Sequence, residues 1–420
     1  MRVGLIGNQN NNFFALCRYL RDAGYDASLH PMAYEGSQPH FQCDSDTFCS
    51  EYKEFTEVLP WEYGLGIKKT SKKSIKSISN KLDYIIGCGL APAYLAKIGR
   101  SIDLFMPHGG DIHTIPIKSN FSMNREFVRS QYYKFTGMRY WQREGIRIAV
   151  NTSFEDFMPE SKEMLDRVGI RNNFYLGFPM VYIPEYSQSN IDKARGSSIY
   201  VERIREIRSK NDILISWPCR LIADKSKQEF IKGQHHGFTA LKEISRKCPE
   251  KRIKMILFEY GPDVNEAREL IRGMGLTPYI EWVPVIARKE IMQINSLVDL
   301  VFAEIGPGWF AYGVVWEALA LGKPLVTWVN CSKEINKDKV YPHLSARNAK
   351  NLIDVIYKTL AERDKVQEVG QAGFKWVNKF FDLSVALIGE AIEGKKQKSN
   401  VDVFQKYRSS GAQNIFDFFP

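Results

Sequence analysis

The chain has 420 residues, of which 44% are hydrophobic and 25% are charged, and this length is enough for two ordinary domains of about 150 to 200 residues each. Its 58 Lys and Arg residues against 48 Asp and Glu residues give a formal net charge of +10, which favours anionic partners such as a nucleotide diphosphate, an acidic glycan or a phospholipid surface. No zinc-finger spacing, basic zipper or aromatic RNA-binding signature accompanies this charge, so we expect no nucleic-acid partner.

Neither a membrane span nor a disulfide framework is expected. No apolar run approaches the roughly 18 to 20 residues that cross a bilayer, and the sequence starts with a strand-like segment, 1–7, rather than a signal peptide. The seven cysteines are scattered and include no Cys-x-x-Cys pair, which is typical of reduced thiols rather than zinc ligands or disulfide partners. We therefore predict a cytoplasmic protein.

The first half of the chain alternates short apolar runs with helical stretches, as a parallel sheet with crossover helices requires. Between the first two runs the apolar residues fall at helical spacing, and Gly24 is suited to the C-terminal cap of that helix. This pattern predicts a βαβ unit. The predicted strands are 3–6, 27–30, 84–87, 104–107 and 148–151.

A polar region at 187–198 has no clear period, as a connection between domains would have none. After a helix at 199–209, a second series of strands and helices follows, so two similar α/β halves are expected. Its predicted strands are 213–217, 254–259, 279–283, 300–303 and 324–328, and its predicted helices are 237–246, 264–274, 289–296, 314–321 and 349–362. The chain ends in an aromatic cluster at 415–420, which usually packs on its own protein.

The most informative stretch is 299–326, where a strand ends at a glycine-containing loop and a helix follows. Gly306, Gly308 and Gly313 lie in this loop and at the helix start, where backbone N–H groups can bind a diphosphate. Glu317 follows near the start of the helix, and its carboxylate there can accept hydrogen bonds from both ribose hydroxyls. The alternative interpretation is a tight turn before a buried helix.

Together with 279–299, this segment resembles the donor-binding half of glycosyltransferase family 4. The resemblance implies an α/β protein of the GT-B fold, with two Rossmann-like domains facing across a deep cleft, and a ribose-binding role for Glu317. The family has a sugar-contacting glutamate eight residues before the residue matched by Glu317, whereas this chain has Trp309 there. Either Glu304 or loop amides replace that glutamate, or the sugar preference is unusual.

Upstream, Arg220 and the segment 232–241 resemble two basic motifs of the same family. An arginine at the end of the domain's first strand and a lysine at the next helix can together neutralise a departing diphosphate without a metal. Two lysines compete for the second role. Lys225 stands where a short loop would place it, whereas the residues around Lys232 match the family better, and we favour Lys232.

In the first half, His108 and Asp111 follow a predicted strand at its C-terminal end, where α/β folds build ligand sites. This segment resembles the His-Gly-x-Asp segment of the same enzymes, whose histidine approaches the donor sugar. Asp111 either orients an acceptor hydroxyl or caps the following segment. Asn8 and Asn10 belong to an amide-rich loop that suits sugar hydroxyls, although Asn-rich turns also arise from local hydrogen bonding.

Two further patterns are weaker. Asp44 and Asp46 have the spacing of a metal-binding motif but precede no suitable strand, so no metal is predicted. The basic run 68–76 is typical of a solvated face. Because Trp61, Tyr63 and other apolar residues precede it, the alternative is that the run lies on anionic lipid, as a lipid-linked acceptor would favour.

We therefore predict a hexosyltransferase-type glycosyltransferase that retains anomeric configuration and needs no metal or cofactor besides its nucleoside diphosphate sugar. The acceptor is a hydroxyl of a glycan, a glycolipid or a small molecule. Two alternatives stay open: a sugar-nucleotide epimerase of the same fold, and a non-catalytic sugar-nucleotide or glycan-binding protein. The predicted catalytic residues are His108, Arg220 and Lys232; the donor-binding residues are Arg220, Lys225, Lys232, Glu304, Gly306, Gly308, Gly313 and Glu317; the acceptor-binding residues are Asn8, Asn10 and Asp111.

The predicted domains follow from the same assignment. Residues 1–185 form an acceptor-binding domain and residues 199–373 a donor-binding domain. A helix at 374–395 returns to the first domain, and 396–420 is a tail. The protein is expected in the cytoplasm, with a peripheral contact at the cytoplasmic face of a membrane as an option for the basic run.

Overall fold

Each half of the chain forms its own parallel sheet in the computed structural model, which describes residues 1–37, 41–117, 125–155, 159–224, 226, 229–306, 308–310, 312–330, 339–397 and 402–419. One unit consists of residues 1–182 and 380–420, and the other of residues 183–379. The polar region 187–198 therefore belongs to the second unit, and the segment 396–420 belongs to the first.

The first unit is built on five parallel strands, β1 (Arg2–Ile6), β2 (Asp26–His30), β3 (Tyr84–Gly87), β4 (Leu104–Phe105) and β5 (Asn151–Thr152). In space they lie in the order β2-β1-β3-β4-β5. The strand order therefore reverses between β1 and β3, and the loops that follow these two strands border the crevice where open α/β sheets bind ligands.

Helices connect these strands, as the alternating pattern predicts. The first helix is buried over most of its length: Phe13, Leu16 and Leu20 are buried, and so are all residues between them except Tyr19. Gly24 follows it with φ of +87°, a left-handed conformation that favours glycine. The helices of this region are α1 (Asn12–Asp22), α2 (Gly66–Lys69), α3 (Lys72–Ser79), α4 (Ala91–Ala96), α5 (Gly110–His113), α6 (Arg125–Phe135), α7 (Met138–Arg147) and α8 (Pro159–Val168).

The second unit contains a six-stranded parallel sheet and a two-stranded antiparallel ribbon. The sheet strands are β6 (Ile213–Trp217), β9 (Ile253–Phe258), β10 (Ile280–Val283), β11 (Leu300–Phe302), β12 (Leu325–Thr327) and β13 (Leu344–Ser345), and the ribbon strands are β7 (Ala223–Asp224) and β8 (Glu229–Phe230). The sheet order is β10-β9-β6-β11-β12-β13. Counted along the chain, this is the 3-2-1-4-5-6 order of dinucleotide-binding folds.

In the described part of the second unit, seven helices lie in order along residues 188–361, and all but the first were predicted. They are α9 (Gln188–Lys193), α10 (Ile199–Ser209), α11 (Gln234–Lys247), α12 (Val264–Gly273), α13 (Arg288–Leu297), α14 (Gly313–Ala320) and α15 (Ala349–Ala361). The polar stretch expected to be a plain connection therefore contains a short helix.

The C-terminal part of the chain consists mostly of helix. Helix α16 (Arg363–Lys396) starts before the predicted residue 374, and its residues from 380 onward belong to the first unit. Helix α17 (Val403–Ser409) follows. The terminal aromatic cluster packs on its own protein, as predicted: Ile415 N–H donates to the Tyr175 carbonyl at 2.7 Å, and Phe416 stacks on Phe380.

Strand positions are mostly confirmed to within one or two residues, and 84–87 and 213–217 are reproduced without a shift. The strand predicted at 148–151 is the exception, because β5 begins only at Asn151. The apolar residues before it belong to the end of α7, where Ile146 is buried, and to a connector in which Val150 is 45% exposed. Within the described residues, no helix is long and apolar enough to cross a bilayer.

Candidate functional site

In the second unit, β6 and β11 are neighbours at the point where the strand order reverses. Ligands of open α/β sheets bind outside the carboxyl ends of the strands at such a point. Arg220 follows β6 and Glu304 follows β11, so both lie at this edge of the sheet. Trp217 Nε1 donates to the Ala303 carbonyl at 2.8 Å and fixes the two strand ends against each other.

Lys232 and Glu304 form an ion pair at this edge. The Ile305 N–H donates to the Lys232 carbonyl at 3.1 Å, which holds the two loops together. Gly233 caps the N-terminus of α11 with φ of +82°, and a Cβ there would clash with the Ile305 carbonyl. The left-handed backbone and the close approach of the Ile305 carbonyl therefore both require glycine at position 233. Lys232 directly precedes this cap, next to the N–H groups at the start of α11.

Glu317 is buried in α14 and does not stand alone. Its Oε1 accepts a hydrogen bond from Arg288 Nε at 2.9 Å, and the guanidinium is itself buried. Arg288 lies in α13, and its charge-assisted hydrogen bond holds the Glu317 carboxylate in one orientation. Arg288 was not identified from the sequence, since 29 residues separate it from Glu317.

Four of the five charged residues singled out in the second unit, Arg220, Lys232, Glu304 and Glu317, share one neighbourhood. Burial raises the pKa of Cys219 above its ordinary value, and Glu304, Lys232 and Glu317 act on the same thiol. The pKa of Tyr260 is also raised, mainly by burial. The positive charge of Arg220 opposes this shift, and the negative charge of Glu317 adds to it. Arg220 itself is exposed to solvent. Lys225, the competing lysine, lies outside the described residues.

The glycine loop after β11 is fixed by hydrogen bonds to its backbone. Glu304 N–H donates to Tyr312 Oη at 2.8 Å, and Thr327 Oγ1 donates to the Glu304 carbonyl at 3.0 Å. Gly308 has φ of +80°, and a Cβ there would clash with the Trp328 side chain. Around Gly306, in contrast, a Cβ would meet nothing within 4 Å, which leaves room beside the loop.

Trp309 occupies the position of the family's sugar-contacting glutamate and is 41% exposed. Glu304 lies five residues earlier and is buried, and its Oε2 has no hydrogen-bond partner in the described part of the chain. The second unit therefore has an acidic oxygen available near this loop, in addition to Glu317. Gly313 begins α14, and a Cβ there would lie 3.8 Å from Glu317 Oε1.

The first unit has a cavity of about 280 Å³ at its own crevice, lined by Gln9 and Asn10 after β1, by Gly89 after β3, and by Asp111 of α5. Ligand sites of small molecules span roughly 300 to 1,000 Å³, so this cavity lies close to the lower end of that range. Asn10 lines it from a left-handed backbone conformation with φ of 58°.

Glu35 is the acidic residue of this cavity that the sequence analysis missed. Its Oε2 accepts from the Asn8 N–H at 2.9 Å and from the Met32 N–H at 2.7 Å, whereas its buried Oε1 has no partner among the described residues. Burial raises the pKa of Glu35 to about 7, and the negative charge of Asp111 adds to the shift. The only sequence signal was an acid a few residues beyond the end of β2.

Asp111 and Asn8 both have structural partners. The Asp111 carboxylate accepts from the His108 N–H at 3.0 Å and from the Gly89 N–H at 2.9 Å, so it holds the loop after β4 and the loop after β3 together and does not cap a following segment. Burial raises its pKa to about 6. Asn8 donates to Asn11 Oδ1 at 2.8 Å and accepts from the Phe14 N–H at 2.9 Å. Its side chain therefore holds the loop, and an acceptor contact of Asn8 stays a prediction without support from its geometry.

His108 lies between two aromatic rings. Its centroid is 5.8 Å from that of Phe13 and 4.5 Å from that of Phe178. Burial lowers the pKa of His108 to about 3, so the imidazole is neutral near pH 7. Its Nε2 is buried and has no hydrogen-bond partner among the described residues. The ring can therefore exchange a hydrogen bond with a ligand but does not supply a positive charge.

No family model matches the chain. Among curated proteins, it is similar to the GDP-mannose-dependent alpha-(1-6)-phosphatidylinositol monomannoside mannosyltransferase of Mycobacterium tuberculosis (strain ATCC 25618 / H37Rv), with 26% identity over 155 residues. The match covers 35% of this chain and 40% of the relative, which is less than half the length of either protein.

Solved structures match nearly the whole chain. Anabaena Alr3699/HepE in complex with UDP-glucose has a TM-score of 0.59 at 17% identity and covers 94% of this chain and 100% of that chain. Sucrose-phosphate synthase from Thermosynechococcus elongatus has a TM-score of 0.58 at 11% identity, with 95% and 100% covered. A UDP-N-acetylglucosamine 2-epimerase has a TM-score of 0.56 at 12% identity, with 96% and 97% covered. The fold is that of the GT-B glycosyltransferases, and the resemblance seen in the sequence is confirmed at the level of the fold.

Proposed function

We propose that this protein is a glycosyltransferase that moves a hexosyl group from a nucleoside diphosphate sugar to an acceptor hydroxyl. The observation that carries the proposal is the grouping of Arg220, Lys232 and Glu317 at the switch point of a sheet with dinucleotide-binding strand order. Cations and helix amides suit a diphosphate, and a fixed carboxylate suits a ribose. The structure of HepE holds UDP-glucose and the mannosyltransferase depends on GDP-mannose, so the diphosphate sugar is what these two proteins share.

Lys232 exchanges partners when the donor binds. Its ammonium is paired with Glu304, and an incoming diphosphate competes for the same charge. Once Lys232 turns to the diphosphate, the Glu304 carboxylate can accept hydrogen bonds from hydroxyls of the donor sugar. Glu304 then takes over the role of the glutamate that Trp309 replaces, and its unpartnered Oε2 supports this assignment.

The departing diphosphate is stabilised by fixed positive charge. Arg220 and Lys232 meet the charge that develops on the leaving oxygen, and the amides at the start of α11 add to it, so that no metal is required. With no protein carboxylate assigned as a nucleophile, the acceptor hydroxyl attacks on the face that the diphosphate leaves, and the configuration is retained. His108 of the first unit stays a proposed hydrogen-bonding partner of a sugar hydroxyl, since its imidazole is neutral near pH 7.

The acceptor is proposed to bind the cavity of the first unit. Asn10 and Glu35 supply hydrogen-bonding groups there, and Tyr34 and Tyr63, whose rings are 5.5 Å apart, supply aromatic surface. Such a lining suits a hydroxyl-rich glycan or the sugar of a lipid-linked acceptor.

The second candidate is an epimerase of the same fold. It is favoured by the match to a UDP-N-acetylglucosamine 2-epimerase and by two buried carboxyl groups, Glu35 and Asp111, whose raised pKa values suit proton transfer near neutral pH. An epimerase would convert the nucleotide sugar without an acceptor, whereas a transferase would leave it intact. The two functions therefore differ in what happens to the donor alone.

A thermal-shift screen of UDP, GDP and their sugars tests the proposal. Specific binding at 100 times Kd stabilises the folded chain by about 2.7 kcal/mol, so one base should raise the unfolding temperature and Arg220→Ala should lose that shift. The stabilising donor is then incubated without acceptor and its sugar is identified. Recovery of the unchanged sugar agrees with a transferase, and a new epimer identifies the second candidate. A chain that none of these nucleotides stabilises contradicts both.

A further inference from the structure

Helix α6 carries an exposed apolar stripe on the first unit. Val128, Tyr132 and Phe135 lie at positions i, i+4 and i+7, which places them on one face of the helix. They are 68%, 41% and 71% exposed, whereas Tyr133 of the same helix is buried. The helix therefore packs on the protein through one face and presents the stripe to solvent.

The basic run joins this stripe directly. Lys68 Nζ lies 4.8 Å from the centroid of the Phe135 ring. A Cβ on Gly64 would clash with the Tyr132 hydroxyl, so the turn before α2 lies against α6. Leu65 in this turn is 42% exposed and extends the apolar surface.

Positive charge continues from this contact along α2 and α3. Lys68, Lys69, Lys72, Lys73 and Lys76 are all exposed. Residues 66–79 contain no acidic residue, so no negative charge within the segment offsets the lysines. This surface therefore combines a row of apolar side chains with a dense positive charge.

We propose that the α6 stripe, Leu65 and the lysines of α2 and α3 form a docking surface for an anionic lipid membrane. Apolar side chains of an interfacial helix enter the boundary between headgroups and acyl chains, and adjacent lysines attract anionic headgroups. A solvated basic face would explain the lysines alone, and scattered exposed apolar residues need no explanation. Here a row of exposed apolar residues lies on one face of α6, and Lys68 lies against the ring of Phe135 at the end of that row. An anionic bilayer offers an apolar layer to the stripe and negative headgroups to the lysines.

One consequence rests on the proposed function. Arg129 of α6 lines the cavity of the first unit, so a membrane-bound α6 holds this cavity close to the headgroups. A lipid-linked acceptor would then present its sugar to Asn10 and Glu35 without leaving the bilayer. The docking surface itself does not depend on this step.

Vesicle sedimentation of the full chain without substrates tests the surface. The wild-type chain should bind vesicles of phosphatidylglycerol and phosphatidylcholine, bind neutral vesicles far less, and be released by salt. Replacing Val128 and Phe135 by Ser should lower the partition coefficient by at least about tenfold, because two apolar side chains no longer insert. Replacing Lys68, Lys69, Lys72 and Lys73 by Ser should lower it by on the order of a hundredfold.

Matched controls come from the second unit. Ile199 is 77% exposed, and Ile199→Ser should bind vesicles like the wild type, as should replacement of the exposed Lys210 and Lys251 by Ser. Circular dichroism checks that every variant is folded. The proposal is overturned if the wild-type chain stays in the supernatant at low salt, or if both α6 and lysine variants bind unchanged. It is also overturned if light scattering shows a dimer that the Val128 and Phe135 replacements dissociate, since the stripe would then join two copies of the chain.

Discussion

Arg220 is the side chain that we propose stabilises the departing diphosphate. It is exposed at the end of β6, within electrostatic reach of Tyr260 and near Glu317. Arg220→Ala should therefore remove charge stabilisation of the departing diphosphate and cost about 2 to 4 kcal/mol in kcat/KM. Steady-state kinetics with the identified donor measure this loss.

The control for Arg220 is Arg246, an exposed arginine near the other end of α11. Arg246→Ala should leave kcat/KM unchanged, since it lies on the wrong end of the helix to meet a diphosphate. Both variants should unfold at the wild-type temperature without ligand. Turnover of Arg220→Ala at the wild-type rate would remove the diphosphate role from this residue.

The raised pKa of Glu35 predicts how the free energy of unfolding changes with pH. Its pKa rises from an ordinary value of 4.5 to about 7 on folding, so between these values the folded chain keeps a proton that the unfolded chain has lost. The free energy of unfolding therefore falls as pH rises through this window. Because Glu35→Gln has no such proton, its stability relative to the wild type should increase by about 2 to 3 kcal/mol from pH 5 to pH 8.

Urea unfolding at both pH values measures the difference. Asp111 titrates in both proteins, so the comparison measures the titration of Glu35 together with its interaction with Asp111. Replacement of the exposed Glu54 by Gln is the matched control and should show no change with pH relative to the wild type. Parallel stability profiles for wild type and Glu35→Gln would mean that the carboxyl group is ionised in the folded chain like an exposed one.

Secondary-structure elements with strong local patterns were predictable from the sequence. The central strands β1, β3, β6 and β9 are short apolar runs between helices, and their positions were found because a strand buried on both faces is apolar throughout. The ribbon strands β7 and β8 and the edge strand β13 have two residues each and leave no period to detect. These strands exist through their pairing with neighbours, which a local pattern does not contain.

Helix α16 shows how a packing requirement can hide a helix. Its start was predicted at 374, whereas the helix begins at Arg363 and contains Gly370 and Gly373, two residues that lower helix propensity. In the structure a Cβ on Gly370 would clash with the Gly322 carbonyl, and one on Gly373 with the Leu319 side chain. These glycines therefore allow close packing and do not end the helix, a role visible only in the folded chain.

Some residues of the candidate site could be proposed from the sequence, and others were recognised only in the structure. Arg220, Lys232 and Glu317 could be proposed because they stand in sequence motifs at the ends of elements, and the structure places them at one edge of the sheet. Arg288 and Glu35 were missed because their roles come from partners 29 and 27 residues away in the chain. Isolated charged residues of this kind look like surface positions until the fold shows them buried.

The first unit contains both ends of the chain, because residues 380–420 belong to it together with residues 1–182. Aromatic residues at the end of the chain pack within this unit. Phe416 is 8% exposed, its ring lies 5.7 Å from that of Phe380, and Phe418, two residues on, is 38% exposed. The two phenylalanines are therefore a matched pair that differs in burial.

Phe416→Ala should cost about 3 kcal/mol of stability, as truncation of a buried phenylalanine does, and Phe418→Ala about 1 kcal/mol or less. Because the two units can unfold separately, hydrogen exchange followed by mass spectrometry is the suitable measurement. Exchange in Phe416→Ala should increase around Tyr175 and along the part of α16 after residue 380, while β6, β9 and β11 keep wild-type protection. Equal losses for the two variants, or faster exchange in the sheet of the second unit, would show that the terminal segment is not an integral part of the first unit's core.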